Sequence, residues 1–221
     1  MVSFTEENYL KTIYQLSVAI QGEVSTNSIA EKLDTKASSV TDMLKKLATK
    51  ELINYKKYQG VTLTDQGKST AIFIIRKHRL WEVFLVEKLS FKWDEVHAIA
   101  EELEHINSNE LVERLDKFLG FPQYDPHGDP IPDKDGVIFH HKEFSLADLQ
   151  VGESGLIVGV KDTSTGFLQY LEGSGLVLGK SIQVVNIYDY DNSVVISIDT
   201  SKEATVSEQV SKNLYIKKSL Q

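Results

Sequence analysis

The sequence contains no cysteine. Disulfides and thiolate metal ligands are therefore excluded. No apolar run approaches the roughly 18 residues that a membrane span requires. The first residues, Met1-Val2-Ser3-Phe4-Thr5-Glu6-Glu7, lack both the basic region and the apolar core of a secretory signal. A cytoplasmic location is the expectation. No internal repeat or low-complexity tract is visible. Proline is scarce: the chain has four, Pro122, Pro126, Pro130 and Pro132, confined to one short segment. Positive charge is in deficit, with 24 Lys and Arg against 32 Asp and Glu, a net charge of −8. Taken whole, that balance argues against a nucleic-acid binder. What remains is an ordinary globular composition, 41% hydrophobic and 25% charged over 221 residues, enough for one to three domains with a real core.

The charge is unevenly spread. Between Val24 and Ser69 eight lysines face five acids, whereas between Ser90 and Asp116 eight acids face only Lys92 and Arg114. A basic segment followed by an acidic one has a physical use. Bound cations neutralise the second and leave the first to meet phosphate.

Ser3-Phe4-Thr5-Glu6 has the capping-box pattern and predicts a helix start. Tyr9, Leu10, Ile13, Tyr14 and Leu16 supply its apolar stripe. A short helix fits Asn27 to Leu33, a turn Asp34-Thr35-Lys36, and a third helix Ala37 to Thr49. Val40, Met43, Leu44 and Leu47 fall on one side of that third helix. Ser38, Ser39, Thr41, Asp42, Lys45 and Lys46 fall on the other. Leu52–Tyr55 and Val61–Leu63 read as two strands around Lys56-Lys57-Tyr58-Gln59-Gly60. The order is that of a winged helix-turn-helix. Hydroxyls and lysines on the third helix, with Lys36 before it and Lys57 in the wing, suit phosphate and base-edge contacts.

Thr64 is placed to cap a long helix running through Ile72, Ile75, Leu80 and Leu85. Helices also fit Trp93 to Asn107 and Ser108 to Leu119. Gly120 to Gly136, with all the prolines, reads as a linker. Beyond Ser145 the β-branched runs Gly155–Val160, Ser181–Ile187 and Val194–Ile198 predict a small β-barrel, its last two strands joined through Tyr188–Asn192.

All six histidines lie between His78 and His141. On a helical wheel with His97 at the origin, Glu101 falls at about 40°, Glu104 at about −20° and His105 at about 80°. His78 and Glu82 share a face of the preceding helix, four residues apart. A Glu/His face is ordinarily just solvated. Six such residues on neighbouring helices instead form a ligand set that suits Mn²⁺, Fe²⁺, Zn²⁺ or Co²⁺. Two alternatives stay open at this point. One is a winged-helix regulator not governed by metal. The other is a di-iron carboxylate helical-bundle enzyme, for which Glu102-Leu103-Glu104-His105 supplies one Glu-x-x-His but no second copy.

A winged helix followed by His78-Arg79-Leu80-x-Glu82 and His97-x-x-x-Glu101-x-x-Glu104-His105 resembles the diphtheria-toxin-repressor and manganese-transport-regulator family, over the whole chain. The resemblance implies an α+β protein of three domains. These would be a winged helix-turn-helix over 1–72, a helical metal-binding and dimerisation domain with linker over 73–140, and an SH3-like (FeoA-type) β-barrel over 145–221. It implies a homodimeric repressor of metal-uptake genes, not an enzyme, that binds palindromic operator DNA when loaded with Mn²⁺ or Fe²⁺, two ions per chain. It implies Glu101, Glu104 and His105 as primary ligands, with His78, Glu82 and His97 in that site or its neighbour. Asp125-Pro126-His127-Gly128 resembles a linker motif of the three-domain members, in which a Cys often stands at the Asp125 position. There the His joins a second site with a barrel acid, here Asp162. Two positions depart from the family pattern. Asn8 stands where a first-helix Asp or Met ligand is expected; its amide oxygen is the candidate ligand there, able to bind Mn²⁺ but without charge. Lys11 replaces a second first-helix carboxylate of the short manganese regulators.

Overall fold

The computed structural model describes residues 2–56, 59–138, 144–200 and 202–218. The chain falls into two compact units, one of Met1–His78, Glu101–Glu113 and Pro132–Ile138, the other of Arg79–Ala100, Arg114–Ile131 and Phe139–Gln221. The boundary runs through helices, so neither unit is one stretch of sequence.

The first unit opens with α1 (Phe4–Ile20), started by the expected capping box: Ser3 accepts from the Glu6 N–H and the Glu6 side chain returns to the Ser3 N–H. Helices α2 (Thr26–Lys32) and α3 (Ala37–Thr49) follow, then the hairpin β1 (Ile53–Lys56) and β2 (Gly60–Leu63). The turn between α2 and α3 reverses at Asp34, whose φ of 46° lies in the left-handed region that Asp tolerates better than most residues. Val40, Leu44 and Leu47 of α3 are fully buried with Leu10 and Ile13 of α1, Ile29 of α2 and Val61 of β2. The apolar stripe thus selects which face of α3 turns outward. Lys57 lies outside the described residues.

Helix α4 (Asp65–Leu89) begins where Thr64 Oγ1 accepts the Gly67 N–H at 3.1 Å. Two helices are shorter than the periodicity predicts. Helix α5 covers only Val96–Leu103, and α6 covers Asn109–Phe118. The chain tightens after α5, with the Ile106 N–H donating to the Leu103 carbonyl, so Glu104 and His105 sit on a turn and not on a helical face. Their side chains therefore do not continue the helical arc that His97 and Glu101 begin.

The second unit contains a six-stranded antiparallel sheet in the order β3 (Phe144–Ser145), β8 (Leu214–Lys218), β4 (Ser154–Val160), β5 (Ser181–Ile187), β6 (Val194–Ile198) and β7 (Lys202–Val206). The expected closed barrel is an open sheet: β3 and β7 stand at its two ends. Its core is completed by helical side chains, Leu168 and Leu171 of α7 (Thr165–Ser174) and Val210 of α8 (Glu208–Lys212), which bury apolar surface without strand closure. Trp93 belongs to this core as well. Strand β4 carries a bulge between Ile157 and Gly159. There the turn holding Asp125 and His127 lies against it, and the Val160 N–H donates to the His127 carbonyl at 2.8 Å.

Candidate metal centres and nucleic-acid surface

In the first unit Glu104 is fully buried. The Lys11 ammonium donates to both of its oxygens, at 2.7 and 2.8 Å, and reaches Glu101 Oε1 at 3.4 Å. His78 Nδ1 lies 2.6 Å from the second Glu104 oxygen. Burial alone would push the Glu104 carboxyl up, but the His78 hydrogen bond and the Lys11 charge outweigh it and hold the group below the usual carboxylate range. His105 lies between two carboxylates: its Nδ1 is 2.6 Å from Glu7 Oε2, its Nε2 is 4.0 Å from Glu104 Oε1, and its ring stacks on Phe4. Asn8 is half-buried, and its side-chain oxygen is buried without a hydrogen-bond partner. Lys77 is also buried near this set. Desolvation lowers its pKa, and the carboxylates of Glu7 and Glu104 offset part of that. Both Glu104 oxygens already have a cationic partner in Lys11. With that charge in place and a neutral amide at Asn8, the set is a poor fit to a divalent ion.

The second unit holds a different group. Glu82 on α4, Asp125 and His127 are all buried, and one ligand atom from each lies within 4.8 Å of the others. His127 Nε2 is 2.8 Å from the Trp93 carbonyl. A carbonyl only accepts, so Nε2 carries the proton and Nδ1, 3.6 Å from Glu82 Oε2, turns toward the carboxylates. An outer hydrogen bond of this kind fixes the tautomer of a metal-ligating histidine. Asp125 Oδ1 accepts the N–H groups of His127 and Asp129 at 2.8 and 3.0 Å, while Oδ2 lies 3.5 Å from Arg79 Nε. Arg79 also donates to the Pro130 carbonyl and pairs with Asp129, so it pins the turn to α4.

Negative charge is in surplus here. Burial, then Asp129 and Glu82, push the Asp125 carboxyl up to about 7, against the opposing pull of Arg79 and His127. Burial would lower the His127 pKa, but Glu82, Asp125 and the Trp93 carbonyl raise it to about 9. A divalent cation would relieve that crowding and displace the imidazole proton. Two carboxylates and one imidazole, buried and oriented, fit a hard or borderline ion.

The other expected ligands lie at the margin. His97 is exposed, with Nδ1 3.3 Å from Glu82 Oε1. Asp162 is half-buried, caps the Ser164 N–H at 2.9 Å and is absent from the Glu82 group. Nothing in the sequence marks Glu7, Arg79 or Trp93 as functional. Arg79 and Trp93 act through contacts with the turn, and no local pattern reports those.

On α3, Ser38, Ser39, Asp42 and Lys45 are exposed, with Lys36 at its N-cap. Thr41 is half-buried and spends its hydroxyl on the Ala37 carbonyl. Lys46 lies 3.2 Å from the buried Glu6 carboxylate, which Lys50 also binds.

Three family models match the chain in succession: the N-terminal DNA binding domain of the iron dependent repressor over 1–61, its metal binding and dimerisation domain over 64–133, and the FeoA domain over 144–218. A manganese-dependent transcriptional repressor, solved in complex with manganese, superposes with a TM-score of 0.81 at 34% identity, covering 95% of this chain and 98% of that one. The chain belongs to the iron-dependent repressor family. Within the family it is 37% identical over 129 residues to the iron-dependent repressor IdeR of Mycobacterium tuberculosis, an alignment covering 58% of this chain and 55% of that protein. The chain thus spans about half the length of such mycobacterial relatives. It is 28% identical to the diphtheria toxin repressor of Corynebacterium glutamicum, over 93% of this chain and 96% of that one. The iron-dependent repressors are DNA-binding transcriptional repressors, not enzymes, which removes the di-iron alternative. Among the described residues no helix is long and apolar enough to cross a membrane.

Proposed function

We propose that this chain is a cytoplasmic, homodimeric repressor of metal-uptake genes that binds a palindromic operator when loaded with Mn²⁺, with Fe²⁺ the second candidate. The observation that carries this reading is the buried Glu82–Asp125–His127 group, whose imidazole is pre-set by the Trp93 carbonyl. These three residues hold the ion, with His97 and Asp162 as further ligands at its edge. An ion bound there supplies positive charge that neutralises two crowded carboxylates. Arg79 positions Asp125, and Trp93 holds the His127 ring with its proton on Nε2.

Residues 1–72 read the operator, 73–140 carry the ligands and the dimer contact, and 145–221 form the third domain. The exposed Ser38, Ser39 and Lys45 of α3 face the major groove in this reading. A dimer presents two such helices to half-sites one helical turn apart. Oxygen-rich donors and the absence of cysteine favour Mn²⁺ over softer ions. The test is retardation of a cognate palindromic duplex in excess Mn²⁺ and in chelator. Metal-dependent binding is expected. Equal affinity in both conditions would instead favour a winged-helix regulator indifferent to metal.

A further inference from the structure

The two ligand groups differ in how their charge is balanced. At Glu82, Asp125 and His127, two buried carboxylates meet one imidazole, and the nearby Arg79 is largely committed to the turn. At Glu101, Glu104 and His105, a lysine is already in place. Lys11 is 7% exposed, and its ammonium contacts both oxygens of a carboxylate that is itself fully buried. An ammonium placed symmetrically on a buried carboxylate is a strong, charge-assisted contact. A divalent ion and this ammonium would compete for the same oxygen pair and repel each other in a poorly screened site. The remaining donors bring an ion no further charge. The Asn8 amide is neutral, and His105, with Nδ1 on Glu7 and Nε2 4.0 Å from Glu104 Oε1, offers one imidazole nitrogen against the Lys11 ammonium.

We propose that the Lys11 ammonium is a tethered cation standing in for a metal ion at the Asn8–Glu101–Glu104–His105 set, so that the chain binds one divalent ion tightly, at Glu82–Asp125–His127, and not two. This rests on the reading of the chain as metal-responsive. Its consequence is that α1 is joined to the turn after α5 whether or not metal is present. The unpartnered Asn8 oxygen is the remnant of a ligand set whose charge lysine has supplied.

The test is Mn²⁺ equilibrium dialysis on the full chain, with free Mn²⁺ read by electron paramagnetic resonance. Wild type should take up one tight ion per chain. Lys11→Met keeps the length and apolar stem of the side chain and removes its charge. It should gain a second ion, or tighten a weak second ion at least about tenfold. Lys11→Arg keeps the charge and should stay at one. Glu82→Gln should lose the tight ion in wild type, while the Lys11→Met/Glu82→Gln double variant keeps one. Circular dichroism checks that each variant is folded, and the Arg variant keeps the comparison decisive if Met destabilises the chain. Two ions of similar affinity in wild type, or a Met variant whose second ion is no tighter, overturns the proposal. No tight ion in any of these proteins overturns the metal-responsive reading itself.

Discussion

Replacing Gly128 by alanine tests whether the ligand turn depends on its seat against strand β4. Gly128 has φ of +89°, and a Cβ there would lie 2.2 Å from the Val158 carbonyl oxygen and 2.3 Å from the Gly159 Cα. Backbone strain at such a φ costs an alanine roughly 1–2 kcal/mol. The contacts add to this, because both partners are backbone and the turn must retreat by roughly 1 Å to reach ordinary packing distance. Together these place the destabilisation at about 2–4 kcal/mol. His127 is the residue before it, and its carbonyl accepts from Val160 on the same strand. A turn that retreats takes the imidazole with it, and loss of outer support of this kind weakens a metal site about 10–100-fold. Urea melts and Mn²⁺ titrations on one preparation read both effects. Gly120→Ala is the control. Its φ is +78° but nothing lies within 4 Å of the added Cβ, so it carries the strain without the collision. It should cost about 1 kcal/mol and leave the ion in place. A Gly128→Ala protein that binds Mn²⁺ like wild type, or an equal loss in the Gly120 control, refutes the reasoning.

Asp162→Ala should weaken Mn²⁺ binding by about tenfold if the acid joins the Glu82 group as a ligand; an unchanged titration leaves it as the cap of Ser164. Lys45→Ala should reduce the salt dependence of operator binding by about one counterion per chain, since Lys45 is exposed on the outer face of α3; an unaltered slope removes it from the phosphate contacts. Glu6 gives a pH prediction. Its burial would raise the carboxyl, but Lys50, the Ser3 N–H and Lys46 bring it down to about 2. A depressed carboxylate stabilises the fold above its ordinary value of 4.5, and this contribution is lost as pH falls from there toward about 2. Because both lysines are partly exposed, about 1–2 kcal/mol is expected from it at neutral pH. Glu6→Gln should show that loss in denaturant melts at pH 7 and converge with wild type as the pH approaches 2. A difference that persists undiminished at low pH would assign the effect to packing.

The DNA-binding half was legible because its signals are local. Ser3 and Glu6 announce α1 at three residues' separation, and Val40, Leu44 and Leu47 set the face of α3. The ligand groups were less so. His97, Glu101, Glu104 and His105 look like one helical face at a fixed angle per residue. The chain leaves the helix at Leu103, and Glu104 then meets a lysine 93 residues earlier in sequence. No period carries that pairing. Asp125 and His127 entered through a resemblance, since a turn between prolines shows no chemistry until α4 brings Glu82 against it. The local pattern places Trp93 at the start of a helix. Its burial in the sheet core is a tertiary contact that nothing beside it in sequence anticipates. The weak strands β7 and β8 escaped because Lys202–Val206 and Leu214–Lys218 are rich in charge. Their inward residues suffice only once neighbouring strands supply the rest.

The meeting of Gly128 with Gly159 has a consequence for how this chain can change over time. A side chain at Gly128 collides with β4, and a Cβ on Gly159 would sit 3.1 Å from the His127 carbonyl and 3.2 Å from the Gly128 Cα, so the turn would have to give by a few tenths of an ångström. The bulge in β4 and the turn on the linker are therefore inherited as one piece. A descendant that lost the sheet would leave His127 without its seat and Trp93 without its core, and the binding group would go with it. The seat that the sheet gives His127 is therefore a reason to retain the domain in addition to any ligand that Asp162 supplies.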